Sequence, residues 1–187
     1  METTSPSLPA ELGPILSGSK LGDALFTWLP GEQVPEPFRG LLVHDHDMTS
    51  ELARFHGDSI NLTVLRSQEK DGLYLREVTL HAARCGKPVE YGLIAILLES
   101  FPEDLRPRIL AGSTPLGAIL NESGLAYGSE PQGFFHIPTE RLSSIFPESS
   151  GGANLFGRYN HLVRDDGRCL ARIIEILPTE PACDQGS

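Results

Sequence analysis

A chain of 187 residues is long enough for one domain with a continuous core. Its 40% hydrophobic and 21% charged residues are those of an ordinary globular protein. The net charge of −10, with no basic cluster, argues against a nucleic-acid-binding face and leaves any anionic ligand to be captured locally, inside a pocket.

The three cysteines, Cys85, Cys169 and Cys183, form no CxxC and no Cys/His ligand spacing, so unpaired thiols in a reducing cytosol are expected. The first residues lack a basic stretch followed by an apolar run, and no apolar stretch is long enough to span a bilayer. A cytoplasmic protein without membrane contact is expected.

Residues 1–18 are rich in Pro, Ser, Gly and Thr and read as a loose tail. From Ser19, the residues Leu21, Ala24, Leu25, Trp28 and Leu29 recur at helical spacing until Pro30-Gly31 stops them. Residues 31–40 are Pro-rich and irregular. Residues 47–55 predict a helix capped by Asp47 or Thr49, with Met48, Leu52 and Phe55 on one face and Gly57 closing it. Residues 60–66 alternate as a strand does. A turn at Lys70-Asp71-Gly72 leads into a second strand, 73–80.

On that strand Tyr74, Arg76, Val78 and Leu80 share one face, so Arg76 is a cation among apolar neighbours. A buried guanidinium needs an anion. That anion is either a protein carboxylate or the carboxylate of a ligand, held bidentately.

Residues 88–99 read as a third, buried strand. Short helices are expected from Phe101 to about Leu110 and from Thr114, with Thr114 as cap and Pro115 at the first helical position. Residues 124–133 have loop composition. A short strand at 133–137 and a helical turn from Pro138 follow, then a flexible loop at 149–152. Two final strands, about 155–164 and 168–177, flank the hairpin signal Asp165-Asp166-Gly167. Strands joined by tight turns, with helices between them, predict an α+β fold built on one antiparallel sheet.

Glu175 mirrors Arg76 as one ionisable group in an apolar strand. The two either pair with each other or face opposite ends of a ligand. Met48 and Leu116 lie near the starts of two predicted helices, where backbone N–H groups attract anions. His44-Asp45-His46-Asp47 has no marked third metal ligand, and a solvated capping segment is the reading preferred here. No phosphate-cradling Gly-rich pattern and no Ser/His/Asp triad are present.

Asp47-Met48-Thr49, residues 75–80, Gly86-Lys87-Pro88, residues 114–117, Gly157-Arg158 and the run from Glu175 to Pro178 come in one order over roughly residues 42–178. In these pieces the chain resembles chorismate lyase and its divergent relatives. The resemblance implies an antiparallel sheet with helical flaps over a buried aromatic ligand, with ligand contacts at Met48, Arg76, Leu116 and Glu175. It further implies a cofactor- and metal-independent carbon–oxygen lyase that turns chorismate into 4-hydroxybenzoate and pyruvate. Arg76 and Glu175 would be the catalytic pair. The family often carries a tryptophan and an arginine where this chain has Val89 and Leu93. Ungapped alignment on Pro178 puts Ile174 in place of the glutamate.

The expected organisation is a tail over 1–18, one domain over 19–178 and a C-terminal tail over 179–187. The expected partner is a small aromatic or enolpyruvyl carboxylic acid, and the expected state a monomer or weak homo-oligomer. Two alternatives stay open. One is a non-catalytic aromatic-acid-binding domain of the same fold, as in some bacterial regulators, although no helix-turn-helix precedes it here. The other is an enzyme acting on a different chorismate-derived acid.

Overall fold

The chain reverses direction at Asp71-Gly72, where both residues have left-handed backbone, φ 53° and 76°. Two such residues in succession make the turn whose twist matches a β-hairpin. The computed structural model describes residues 8, 10–22, 24–149 and 153–180. This hairpin joins β2 (Ile60–Lys70) to β3 (Leu73–Ala82), and β4 (Pro88–Leu97) pairs on the far side of β3. The turn at 165–167 joins β6 (Asn154–Arg164) to β7 (Cys169–Ile176), and β7 docks on β4. With β1 (Thr27–Leu29) and β5 (Tyr127–Pro138), seven antiparallel strands form one sheet in the order β1-β5-β6-β7-β4-β3-β2. The expected α+β architecture on a single antiparallel sheet is what the chain adopts.

Both faces of this sheet are covered, which is why β3 is buried along nearly its whole length rather than on alternate residues. One face packs Leu75, Tyr91, Leu93, Phe135, Ile174 and Ile176 against Leu12, Ile15, Leu21, Leu142 and Phe146. The other carries the helices. These are α2 (Phe38–Leu42), α3 (Met48–His56), α4 (Arg106–Ala111) and α5 (Leu116–Ser123). Asp47 caps α3 by accepting a hydrogen bond from the Ser50 N–H at 2.9 Å, and Gly57 ends it in left-handed backbone, as its sequence predicts.

Several expectations are corrected. The described residues of 19–29 form no helix: Phe26 and Trp28 instead pack edge-on against Phe135, with ring centroids 4.7 and 5.3 Å away. That contact holds Thr27–Leu29 extended against β5, and Leu25, assigned to an apolar helical face, points into solvent. Part of the stretch read as a tail is ordered. Ala10–Leu12 forms a 3-10 turn, Gly13–Leu16 forms α1, and Leu12 and Ile15 enter the core. Pro115 caps α5 rather than opening it, so Leu116 is the first helical residue. β5 starts at Tyr127, and the glycines at 128 and 133 lie within it. The expected loop at 149–152 lies, from 150 on, outside the described residues, as does the C-terminal tail from 181. Cys85 is disulfide-bonded, against the expectation of unpaired thiols. Among the described residues no helix is long and apolar enough to cross a membrane.

Candidate functional site

Strand register lines up the site on the helix-covered face. Arg76, Ile94, Ile173 and Asn160 pair across β3, β4, β7 and β6 in one row. The next row is Val78, Gly92, Glu175 and Arg158, and Leu80 pairs with Glu90 one step further on. These side chains project toward the N-termini of α3 and α5. Between sheet and helices lies a cavity of about 40 Å³, whose lining includes Met48, Arg76, Glu90, Leu116 and Glu175. The four residues expected to contact ligand are thus brought to one cavity. Leu62, Val78, Leu80, Ile94, Leu162 and Ile173 complete its apolar walls.

Arg76 is fully buried, and none of its three guanidinium nitrogens has a hydrogen-bond partner among the described residues. Burial pushes its pKa down to about 10, and the nearby Tyr74 opposes that shift slightly. The Tyr74 ring lies 6.0 Å from the guanidinium carbon, at the outer limit of a cation–π contact. The possibility that Arg76 pairs with Glu175 is therefore excluded.

Glu175 is held elsewhere. Its carboxylate accepts a hydrogen bond from Arg158 Nε, and both residues are buried. Arg158 also donates through Nη1 to the carbonyls of Leu42 and His44 and through Nη2 to that of His46, each at 3.2 Å. Arg158 thereby fastens the segment leading into α3 to the sheet. Burial raises the Glu175 pKa while Arg158 works against it. Glu175 shares the cavity face with Ile173, and Ile174 points into the opposite core, which settles the one-residue ambiguity.

The helix starts are built differently. Met48 and Leu116 are both buried first residues, with first-turn N–H groups that have no acceptor within their own helices. Asp47 ties the two helices together. Its Oδ2 accepts from Asn121 Nδ2 at 3.3 Å and from the Tyr127 hydroxyl at 3.1 Å. Burial, then the Asp47 charge, pushes the Tyr127 pKa up.

Two residues of this site had no role assigned from the sequence: Glu90 and Arg158. Glu90 is buried, its Oε2 has no partner among the described residues, and burial followed by the Glu175 charge drives its pKa well above the carboxylate range. A lone acid in the apolar run of β4 is the same signal that singles out Arg76 and Glu175. Leu93, at the family's arginine position, lies in the opposite core and Val89 packs with Leu80 and Leu177. Among the described residues no group of three or more His, Cys, Asp or Glu could hold a metal ion. His44 Nε2 is instead 2.7 Å from the Leu41 carbonyl, and burial lowers its pKa.

The chain is similar in fold to the effector domain of PhnF from Mycobacterium smegmatis. The TM-score is 0.53 at 10% identity, covering 74% of this chain and 91% of that one. The structure of PhnF itself matches at 0.50 and 11% identity, over 75% of this chain and 69% of that one. A GntR-family transcriptional regulator from Bacillus cereus gives 0.46 at 12% identity, over 68% and 97%. Neither a protein-family model nor a curated protein sequence matches the chain.

These neighbours bear out the fold implied by the lyase resemblance and overturn the enzyme. The fold match at a TM-score of 0.53 is to an effector domain, and that finding corrects the expected lyase. In the site, Oε2 of the Glu175 carboxylate is engaged by Arg158.

Proposed function

We propose that this domain binds a small, largely apolar carboxylic acid of aromatic size without converting it. The observation that carries the reading is Arg76: a fully buried guanidinium with three unsatisfied nitrogens facing an apolar cavity. A planar fork of donors matches a carboxylate in two parallel hydrogen bonds. The first-turn N–H groups at Met48 and Leu116 face the same cavity and can donate to a ligand anion, with the Asp47 carboxylate beside them already engaged by Ser50 N–H. Such a ligand satisfies a guanidinium that the described residues leave unsatisfied.

The free cavity, about 40 Å³, has room for a few waters only. Pockets that enclose drug-sized ligands are typically about 300–1,000 Å³. A ring acid therefore enters only as α3 and α5 move outward. Asn121 on α5 donates to Asp47 and to the Ser50 hydroxyl on α3, so the two helices move together. The role this supports is that of an effector domain, in which occupancy is read as helix position; the domain of PhnF carries that name.

The test is a calorimetric titration with benzoate. Binding by the wild type and its loss in Arg76→Met is the expected pair of results. Equal binding by both proteins overturns Arg76 as the receptor, and no binding by the wild type overturns the ligand class.

A further inference from the structure

Glu90 is the buried polar group of the cavity that neither the fold nor anion capture by Arg76 uses. It rests on the reading just given that the cavity takes a carboxylic acid. Arg76 pairs with Ile94, four residues along β4 from Glu90, which separates the two positions by about 13 Å along the strand. They stand at opposite ends of the cavity floor. Gly92 clears the space between them: a Cβ there would lie 3.1 Å from Val78 Cγ2 and 3.3 Å from Glu90 Oε1. The Glu90 side chain is thus laid over Gly92, with Oε2 buried and unpartnered.

The fully buried charges of the site are two arginines and two glutamates. Glu175 neutralises Arg158 through their hydrogen bond. Glu90 has no cation of its own among the described residues. Burial and then the Glu175 carboxylate favour its neutral form, with Asp47 on the cavity wall adding to this, so Arg76 is the fully buried cation of the site left without a bonded counter-charge among the described residues. A single anion balances that charge. A second anionic group at the far end would meet Glu90 and Glu175 together, whereas an uncharged oxygen would take the proton of Glu90 as a hydrogen bond.

We propose that Glu90 sets the selectivity of this cavity, admitting monocarboxylates whose far end carries a neutral hydroxyl or keto oxygen and rejecting dicarboxylates. Chorismate-like acids with two carboxylates are thereby excluded as ligands.

The experiment compares benzoate, 4-hydroxybenzoate and terephthalate by calorimetry at pH 7 on the full chain, for wild type, Glu90→Gln and Glu90→Leu. Ligand-free melting checks folding, and Glu90→Met replaces Glu90→Leu if that variant does not fold. In the wild type, 4-hydroxybenzoate is expected to bind about tenfold more tightly than benzoate, the worth of one buried hydrogen bond. Terephthalate is expected to bind weaker than benzoate by a factor on the order of one hundred. Glu90→Gln, a neutral donor of the same shape, keeps the hydroxyl preference. Glu90→Leu loses it. If benzoate binds but the three affinities stand in the same ratios in wild type and Glu90→Leu, selectivity by Glu90 is overturned and anion capture by Arg76 stands. If none of the acids binds to the wild type, the carboxylate reading falls and this inference falls with it.

Discussion

Replacing Arg76 by methionine should make the ligand-free protein more stable, which is unusual for a fully buried residue. The guanidinium is 0% exposed with no hydrogen-bond partner among the described residues, so the native state carries its desolvation uncompensated. Its pKa falls from the ordinary arginine value to about 10, and at about 1.4 kcal/mol per tenfold change this is a cost of about 3 kcal/mol. Methionine removes that cost, keeps an unbranched chain against Val78 and Ile94, and gives up a Tyr74 contact worth about 0.5–1 kcal/mol. The net gain is about 2 kcal/mol, or a rise of roughly 4–8 °C in melting temperature for a domain of this size. The sign is constant through neutral pH. A base with a depressed folded-state pKa costs stability at every pH below that value, here about 10, and the cost fades only above it. The assay is thermal and urea unfolding of wild type and Arg76→Met between pH 6 and 9, with and without benzoate. The variant should melt higher and gain nothing from benzoate. A variant that melts several degrees below the wild type would refute the reasoning, because it would mean that Arg76 has a protein partner and a structural role.

The Arg158–Glu175 pair should behave in the opposite way. Arg158→Met strands the buried Glu175 carboxylate and frees the carbonyls of Leu42, His44 and His46, so urea unfolding should show a loss of about 3–5 kcal/mol. Adding Glu175→Leu should restore part of it; strict additivity of the two losses would show that they do not interact. Glu90 makes stability depend on pH. A carboxyl whose folded-state pKa is raised binds more protons folded than unfolded, so its contribution is full below the ordinary carboxylate pKa and is lost as pH rises toward the raised value. Glu90→Gln should therefore flatten the decline in stability expected of the wild type as pH rises above the ordinary carboxylate range, and an unchanged pH profile would count against a neutral Glu90.

Most of the sheet was legible because its strands carry their own punctuation. Asp71-Gly72 and the turn at 165–167 fix two hairpins, and Asp47 and Gly57 fix α3 at both ends. The misreadings share one cause. Residues 19–29 have apolar residues at helical spacing, but the partner that holds Phe26 and Trp28 extended, Phe135, lies more than a hundred residues away. Local pattern cannot register such a contact. β5 begins early for the same reason: pairing with β6 carries it through glycines and a proline that read as a loop. At the site, Arg76 and Glu175 stand out as ions in apolar strands, and the period of two places each on its face. Glu90 satisfies that test as well, sharing a face with Gly92 and Ile94, and was passed over because β4 reads as a continuous apolar run. What no local pattern supplies is the pairing. That Glu175 belongs to Arg158, leaving Arg76 without a partner among the described residues, follows only from the register of β6, β7 and β4.

The most direct test of ligand capture by Arg76 is a crystal structure of the protein grown with benzoate. The carboxylate should lie within about 3 Å of two Arg76 guanidinium nitrogens, with the ring between Val78 and Ile94 and with α3 and α5 displaced outward together. Benzoate bound elsewhere, or Arg76 turned onto a protein carboxylate, would contradict it.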